Sequence, residues 1–178
     1  MTRDEKRTLR QRQKLTAELE KNRTRKKARE TEYLIQMENP ENVVEFHDLQ
    51  TCYFTDAGVV RSVDGVSFQV PMGKTVAVVG ESGCGKSVTS LSLLQLLQRP
   101  QGQITGGHIR LNLGDKAYDI PKVPERVMRT LRGGVVSMIF QEPMTALNPV
   151  LRIGQQVGDP FLCISLSFCH MYIALCNT

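Results

Sequence analysis

Between residues 42 and 140 the chain alternates between short apolar runs and turn residues, a pattern typical of strands and short helices. The runs that predict strands cover residues 43–46, 59–63, 66–70, 75–79, 107–111 and 135–140. Residues 75–79 and 135–140 are apolar at nearly every position, so we expect buried strands there. Residues 66–70 alternate with period two, which indicates a half-buried strand.

Two stretches predict helices. Residues 87–98 are rich in leucine and end before Pro100, and residues 125–131 follow Pro124. The leucines of the first stretch are so numerous that burial against a sheet is favoured over a partner-binding surface. They are Leu91, Leu93, Leu94, Leu96 and Leu97. Two buried strands joined through such a helix predict an α/β fold.

Residues 1–38 form an extension with a different composition, which the Asn39-Pro40 turn closes. The extension is rich in helix-forming Arg, Lys, Glu, Gln and Leu, but its leucines are too sparse for a continuous apolar stripe. We therefore expect a helical or disordered, solvated tail. The alternative is a charged arm that touches anionic lipid or RNA.

The net charge of +5 is unevenly distributed. Residues 1–30 contain twelve Lys or Arg and five Asp or Glu, whereas the other 148 residues contain eleven and thirteen. Basicity therefore belongs to the extension. The first thirty residues are polar throughout, so we expect no signal peptide and a cytosolic chain with reduced thiols. The five cysteines form no C-x-x-C pair, which argues against a zinc site.

Residues 161–178 differ from everything before them, since they contain no charged residue and three of the five cysteines. We interpret them as a discordant tail, for instance one translated in a shifted reading frame. A membrane anchor and a core strand are the alternatives, although the run is short and interrupted for a membrane span, which needs about 20 mostly apolar residues.

Residues 80–87, Gly-Glu-Ser-Gly-Cys-Gly-Lys-Ser, carry the strongest chemical signal of the chain. Glycines let the backbone bend into a concavity whose N–H groups point at phosphate oxygens, and the positive end of the following helix faces the same anion. Lys86 adds a mobile positive charge for the outer phosphates, and the Ser87 hydroxyl is a ligand for Mg²⁺. The spacing predicts a nucleotide-binding phosphate loop.

Three further strings narrow the class. Val-Asp-Gly-Val-Ser-Phe occupies residues 63–68, the pair Tyr53-Phe54 lies upstream, and Phe-Gln-Glu-Pro-Met-Thr-Ala-Leu-Asn-Pro occupies residues 140–149. With the loop, these strings resemble the ATP-binding subunits of bacterial ATP-binding cassette importers, in particular the oligopeptide, dipeptide and nickel uptake branch. The resemblance covers about residues 42–160. It implies an α/β P-loop NTPase fold with an N-terminal β subdomain, truncated before the family's signature and second magnesium motif.

The resemblance also implies roles for the matched residues. Tyr53 stands where the family places an aromatic that stacks on adenine, although an ordinary strand aromatic is a serious alternative. Gln141 matches the glutamine that contacts Mg²⁺ and the attacking water, so Ser87 and Gln141 are the expected magnesium ligands. The expected ATP-binding residues are Tyr53, Gly80, Glu81, Ser82, Gly83, Cys84, Gly85, Lys86, Ser87 and Val88.

By the same resemblance, the chain is expected to be an ATP-binding subunit that energises uptake of peptides or related small solutes, with ATP and Mg²⁺ as cofactors. Its partners would be transmembrane permease subunits, a second ATP-binding subunit and, indirectly, an external solute-binding protein, at the inner face of the cell membrane. No nucleic-acid partner is expected, since the chain lacks tryptophan and has few aromatics.

Two alternatives stay open at this point. One is a non-hydrolysing P-loop fragment or binding module that docks on transporter subunits through the region of Gln141. The other is a stand-alone P-loop kinase or GTPase. That class requires a phosphoacceptor pocket or an Asn-Lys-x-Asp string, and the sequence shows neither.

Turnover is a separate question from binding, because several motifs of the family have no match in this sequence. The Leu-Ser-Gly-Gly-Gln signature and an apolar run ending in Asp-Glu are absent, and His170 does not match the switch histidine. Phosphoryl transfer depends on positioning and electrostatics, so we expect weak Mg-ATP binding with negligible hydrolysis. Steady phosphate release by the purified chain that disappears in Lys86→Ala would contradict this prediction.

Overall fold

The computed structural model describes residues 3–140, 147–164 and 171–174, and the chain divides into two compact units, Met1–Met128 and Arg129–Thr178. The first unit contains α1 (Arg3–Arg23), β1 (Leu34–Ile35), β2 (Asn42–Phe54), β3 (Val59–Pro71), α2 (Lys86–Leu93), β4 (Gly102–Asn112) and β5 (Ala117–Asp119). Helix α3 (Glu125–Leu131) begins in the first unit and ends in the second, which contains β6 (Val136–Ile139), α4 (Ile153–Ile164) and β7 (Met171–Ala174).

A five-stranded antiparallel sheet forms the centre of the first unit, in the order β1-β5-β4-β2-β3. Strands β2 and β3 are each thirteen residues long and make one hairpin, whose turn is closed by a 2.8 Å bond from the Thr55 N–H to the Gly58 carbonyl. The sequence predicts two strands over β3. The structure joins them through Gly65, whose φ of +79° accommodates an irregularity in the pairing.

One face of the sheet is apolar. Phe46 on β2 pairs with Phe68 on β3, and the two rings stack with centroids 4.3 Å apart. Val44 lies on the same face two residues earlier, and Ile109 and Leu111 flank the two positions from β4. Val44, Ile109 and Leu111 are at most 1% exposed, so this face lies at the core of the unit, as alternation with period two requires.

The opposite face carries a buried polar network around Glu45, which is 1% exposed. Its carboxylate accepts hydrogen bonds from the backbone N–H groups of Glu38 and Asn39, both at 2.8 Å, and from the Asn42 amide at 2.9 Å. Arg110 on β4 lies 3.3 Å away and completes the set. A buried carboxylate needs such partners, so the network fixes the chain before β2 against the sheet.

The N-terminal extension is more closely attached than the expected solvated tail. Over Arg3–Arg23 it is one helix, and the C-terminal half of that helix contacts the body of the unit. Glu20 pairs with Arg99 and accepts a 2.8 Å bond from Gln103, and Arg23 pairs with Glu125. Sequence periodicity missed this attachment because ionic side chains, not an apolar stripe, form it.

The strand predicted over residues 75–79 is wrong. These residues are not in a strand, and Val76, Val78 and Val79 are 39%, 51% and 87% exposed. An apolar run becomes a buried strand only where neighbouring strands accept its backbone hydrogen bonds. In the described part of the chain no strand pairs with residues 75–79. The following helix is also shorter than predicted, since α2 ends at Leu93 and Gln95 has a φ of +50°.

In the second unit β6 and β7 pair in parallel. Helix α4 runs across Pro160, where the sequence suggests a boundary, and β7 lies within the segment interpreted as a discordant tail. The strand alternative for that segment therefore agrees with the structure over Met171–Ala174. No helix among the described residues has the length and apolar character needed to cross a membrane.

We predict that Glu45→Gln destabilises the chain and weakens its acid sensitivity. Burial by itself raises the pKa of Glu45, but hydrogen bonds from Glu38, Asn39, Asn42 and Arg110 outweigh it and hold the pKa below its usual value. The stabilisation is therefore complete above the unfolded pKa, about 4.3, and is lost as the pH falls through the folded pKa.

The measurement is urea denaturation at about pH 7, above the unfolded pKa, and at about pH 3.5, below it. Glu45→Gln should lower the free energy of unfolding by roughly 1–3 kcal/mol near neutrality and reduce the difference between the two pH values. Glu41→Gln, the same change on an exposed side chain, is the control. Equal effects of the two substitutions would contradict the prediction.

Candidate functional site

The predicted phosphate loop lies between the exposed residues 75–79 and helix α2. Gly85 is the residue before the helix and has a φ of +99°, while Gly83 has a φ of +82°. These values lie in the left-handed region that favours glycine, so both glycines let the backbone turn where another residue would be strained. A 3.3 Å bond from the Cys84 N–H to the Glu81 carbonyl closes the turn that residues 81–84 form.

The Lys86 side chain folds back over the loop. Its Nζ donates to the carbonyl oxygens of Gly80 at 2.6 Å and Glu81 at 2.8 Å, and the Cys84 Sγ lies 3.9 Å away. Among the described residues no carboxylate pairs with it. All three donors of the Nζ are directed at loop atoms, so an anion bound in the loop would take over one or more of these hydrogen bonds.

Backbone N–H groups at the C-terminal end of the loop can also donate hydrogen bonds to a ligand. Within the described part of the chain no acceptor engages the N–H groups of Gly85, Lys86 or Ser87. The first N–H groups of any helix lack intrahelical partners, and here they come together with a nearby ammonium group. Donors of this kind, with no acidic side chain paired to them, suit the oxygens of a phosphate.

Close packing against β3 fixes the C-terminal end of the loop. A Cβ atom on Gly85 would lie 2.3 Å from the backbone oxygen of Ser62, which is far inside contact distance.

Two hydroxyl hydrogen bonds hold helix α2 in place. Inside the helix, the buried Thr89 hydroxyl donates to the Gly85 carbonyl at 3.0 Å. The Thr51 and Ser92 hydroxyls, both fully buried, bond at 3.0 Å and hold the helix against β2. Sequence reasoning missed Ser62 and the hydroxyl pair, since no local pattern marks a contact between distant segments.

The remaining loop residues are exposed or half-buried, and their role in binding a nucleotide stays a prediction. Ser87 is in the first turn of α2 with its side chain exposed, and Val88 beside it is half-buried. Glu81, Ser82, Gly83 and Cys84 are all exposed. The structure therefore brings residues 80–88 together as one accessible loop.

Tyr53 lies near the end of β2, opposite Val60 on β3. Its ring covers Gly102, where an added Cβ would come within 2.9 Å of the Tyr53 Cε1 atom. Val60 is two residues before Ser62, whose backbone oxygen packs against Gly85 of the loop. Because Tyr53 pairs with Val60, it lies on the part of the hairpin that adjoins the loop. The ring is half-buried, and its role as an adenine contact stays a prediction.

Gln141 lies outside the described residues, and so do the five residues that follow it. The magnesium pair of Ser87 and Gln141 therefore stays a prediction. No group of three or more His, Cys, Asp or Glu side chains in the described part of the chain is arranged to hold a metal ion.

Comparison with known proteins gives a consistent result. The family model described as ABC transporter matches residues 63–171, more than half of the chain. The chain is 45% identical over 122 residues to the dipeptide transport ATP-binding protein DppD of Bacillus subtilis (strain 168), with 68% of this chain and 35% of that protein covered.

Other relatives carry similar names. The chain is 49% identical over 117 residues to the oligopeptide transport ATP-binding protein AppD of the same organism, with coverage of 66% of this chain and 34% of that protein. It is 45% identical over 119 residues to a putative peptide import ATP-binding protein of Brucella abortus (strain 2308), with coverage of 66% and 35%. The chain thus spans about a third of the length of these relatives.

Among solved structures, the fold is similar to that of the ATP-binding cassette MJ0796, a dimer in a post-hydrolysis state bound to ADP and Pi. The TM-score is 0.56 at 18% identity, and the match covers 67% of this chain and 47% of that chain. At this identity the likeness concerns the fold alone. It confirms the expected α/β cassette fold with its antiparallel sheet.

We predict that Gly85→Ala disrupts the loop far more than Gly83→Ala. Both residues have positive φ, so alanine costs about 1–2 kcal/mol at either position from backbone strain. Only at Gly85 does the new methyl group also collide with a backbone atom, whereas nothing lies within 4 Å of a Cβ on Gly83. Urea denaturation of the two variants measures the difference. Equal losses would show that the contact with Ser62 is not tight in solution.

Proposed function

Because this chain belongs to the ABC transporter family, as a relative of its ATP-binding proteins for peptide import, we propose that it binds ATP and energises uptake of peptides or related small solutes. Membership in this family implies nucleotide binding. The observation that supports the proposal best is the position of Lys86, whose Nζ lies within hydrogen-bonding distance of the Gly80 and Glu81 carbonyls. The loop thereby gathers positive charge and free N–H donors at one accessible point.

The residues fit the phosphates of a nucleotide. Lys86 and the N–H groups of residues 85–87 would bind phosphate oxygens, the Ser87 hydroxyl and Gln141 would hold Mg²⁺, and Tyr53 would contact the adenine. ATP supplies the free energy of hydrolysis for transport. The chain's own contribution is to position the phosphates and to balance their charge before hydrolysis begins.

Family membership also implies membrane permease partners and peripheral association with the membrane. We propose that permease subunits hold the chain at the inner face of the cell membrane and that a second ATP-binding subunit completes each ATP site. An external solute-binding protein would deliver the solute to the permease. The names of the peptide-import relatives support this assignment.

The first test is titration with a fluorescent ATP analogue in the presence of Mg²⁺. Lys86→Ala should weaken binding roughly tenfold to a hundredfold, because it removes charge-assisted hydrogen bonds worth about 1.5–3 kcal/mol. Lys74→Ala removes the same charge from an exposed residue outside the loop and should bind like the parent chain. Equal affinities of all three proteins would overturn the proposal.

Cys84 gives an independent readout of the same site. Its thiol is exposed and lies beside Lys86, whereas Cys52 is buried. ATP should slow alkylation of Cys84, followed by mass spectrometry of its peptide, and this protection should be lost in Lys86→Ala. Retention of the chain by permease subunits without any protection of Cys84 would favour the binding-module alternative.

A further inference from the structure

Helix α1 has two different faces. One face is partly buried against the first unit, with side chains spaced three or four residues apart along the helix. These side chains are Leu9, Arg12, Thr16, Leu19, Glu20 and Arg23. The pairs of Glu20 with Arg99 and of Arg23 with Glu125 hold this face in place. The helix is therefore fixed in rotation about its own axis, and its other face has a defined direction.

The opposite face is a basic stripe formed by Arg7, Arg10, Lys14 and Lys21. Their spacings of three, four and seven residues place them along one side of the helix over about 21 Å. All four are exposed, and none forms an ion pair with a residue whose side chain the structure describes, within residues 6–140 and 147–158. Glu18 lies on the same side of the helix between Lys14 and Lys21, and it forms no ion pair with those residues. Asp4 and Glu5 precede the stripe in the sequence.

We propose that this basic stripe binds the surface of an anionic phospholipid membrane. Four cations in a line match a plane of negative headgroups, and each Lys or Arg near such a surface contributes about fivefold to the binding constant. Because α1 is already helical and docked, binding does not have to order it. On this side of the helix the gap between Lys14 and Lys21 holds the small Ala17 and the acidic Glu18 but no large apolar side chain, so the contact is electrostatic and stays at the depth of the headgroups.

RNA is the other polyanion that such a stripe could meet, and two observations favour lipid. The stripe contains no aromatic side chain on which bases would stack. The proposed function, on which this choice rests, also places the chain at a membrane. The family model begins at residue 63, so the helix lies outside the matched residues and the proposal concerns an addition to the family domain.

The test is flotation of the whole chain with vesicles of phosphatidylcholine alone or mixed with phosphatidylglycerol, without nucleotide. We expect binding to the anionic vesicles only, with release when the salt rises from about 0.1 M to about 1 M and the Debye length falls from about 10 Å to about 3 Å. Replacing Arg7, Arg10, Lys14 and Lys21 by Gln should weaken binding by roughly six-hundredfold, about fivefold for each cation.

A charge-matched variant separates the stripe from general basicity. It replaces Lys6, Lys26, Lys27 and Lys74, four exposed lysines outside the stripe, by Gln and should bind the vesicles nearly as well as the parent chain. Far-ultraviolet circular dichroism checks that both variants keep their helices. Equal losses in the two variants, binding to neutral vesicles, or tighter binding to single-stranded RNA than to anionic vesicles would each overturn the proposal. ATP binding is measured separately, so failure of either proposal leaves the other intact.

Discussion

The phosphate loop keeps its shape because the helix after it is fixed to the sheet. Gly85 lies against the backbone of Ser62, and the buried hydroxyls of Thr51 and Ser92 join α2 to β2. Just beyond the helix, the buried amide of Gln95 donates to the carbonyls of residues 120 and 123 at 2.5 Å and 3.0 Å. These contacts position one end of the loop even though the segment before it, residues 75–79, has no strand partner in the described part of the chain.

Because only the C-terminal end of the loop is packed against the sheet, the position of its N-terminal end depends on Lys86. Lys86 belongs to the anchored helix, and its Nζ reaches back to the carbonyls of Gly80 and Glu81. The lysine therefore connects the fixed end of the loop to its beginning. A phosphate in the loop would bind the same ammonium group, so ligand binding and loop closure involve one shared interaction.

The sequence alone predicts the glycine-rich turn and the helix that follows it, because each depends on residues that are neighbours in the chain, but it divides the long hairpin into separate short strands. It fails at residues 75–79, where an apolar run predicts burial but burial depends on strands contributed from elsewhere. It also gives no sign that Glu45 is buried, where Asn42, Arg110 and two backbone N–H groups hold it in the interior. At residues 75–79 the missing partners are distant strands, and at Glu45 the nearby donors of residues 38–42 act together with the distant Arg110, so hydrophobic periodicity predicts neither case.

Helix α1 is attached to the rest of the first unit through the positive charge of Arg99. Arg99 is mostly buried, and burial lowers its pKa, while its hydrogen bond with Glu20 opposes that shift. An arginine remains charged at any ordinary pH, so a buried guanidinium needs an anionic partner. Gln103 also accepts a hydrogen bond from Arg99, at 3.3 Å, but its amide oxygen is neutral and does not balance the charge of the guanidinium. Glu20 therefore makes the helix part of the folded unit, and because its face of the helix is turned toward that unit, the cations on the other face are turned toward solvent.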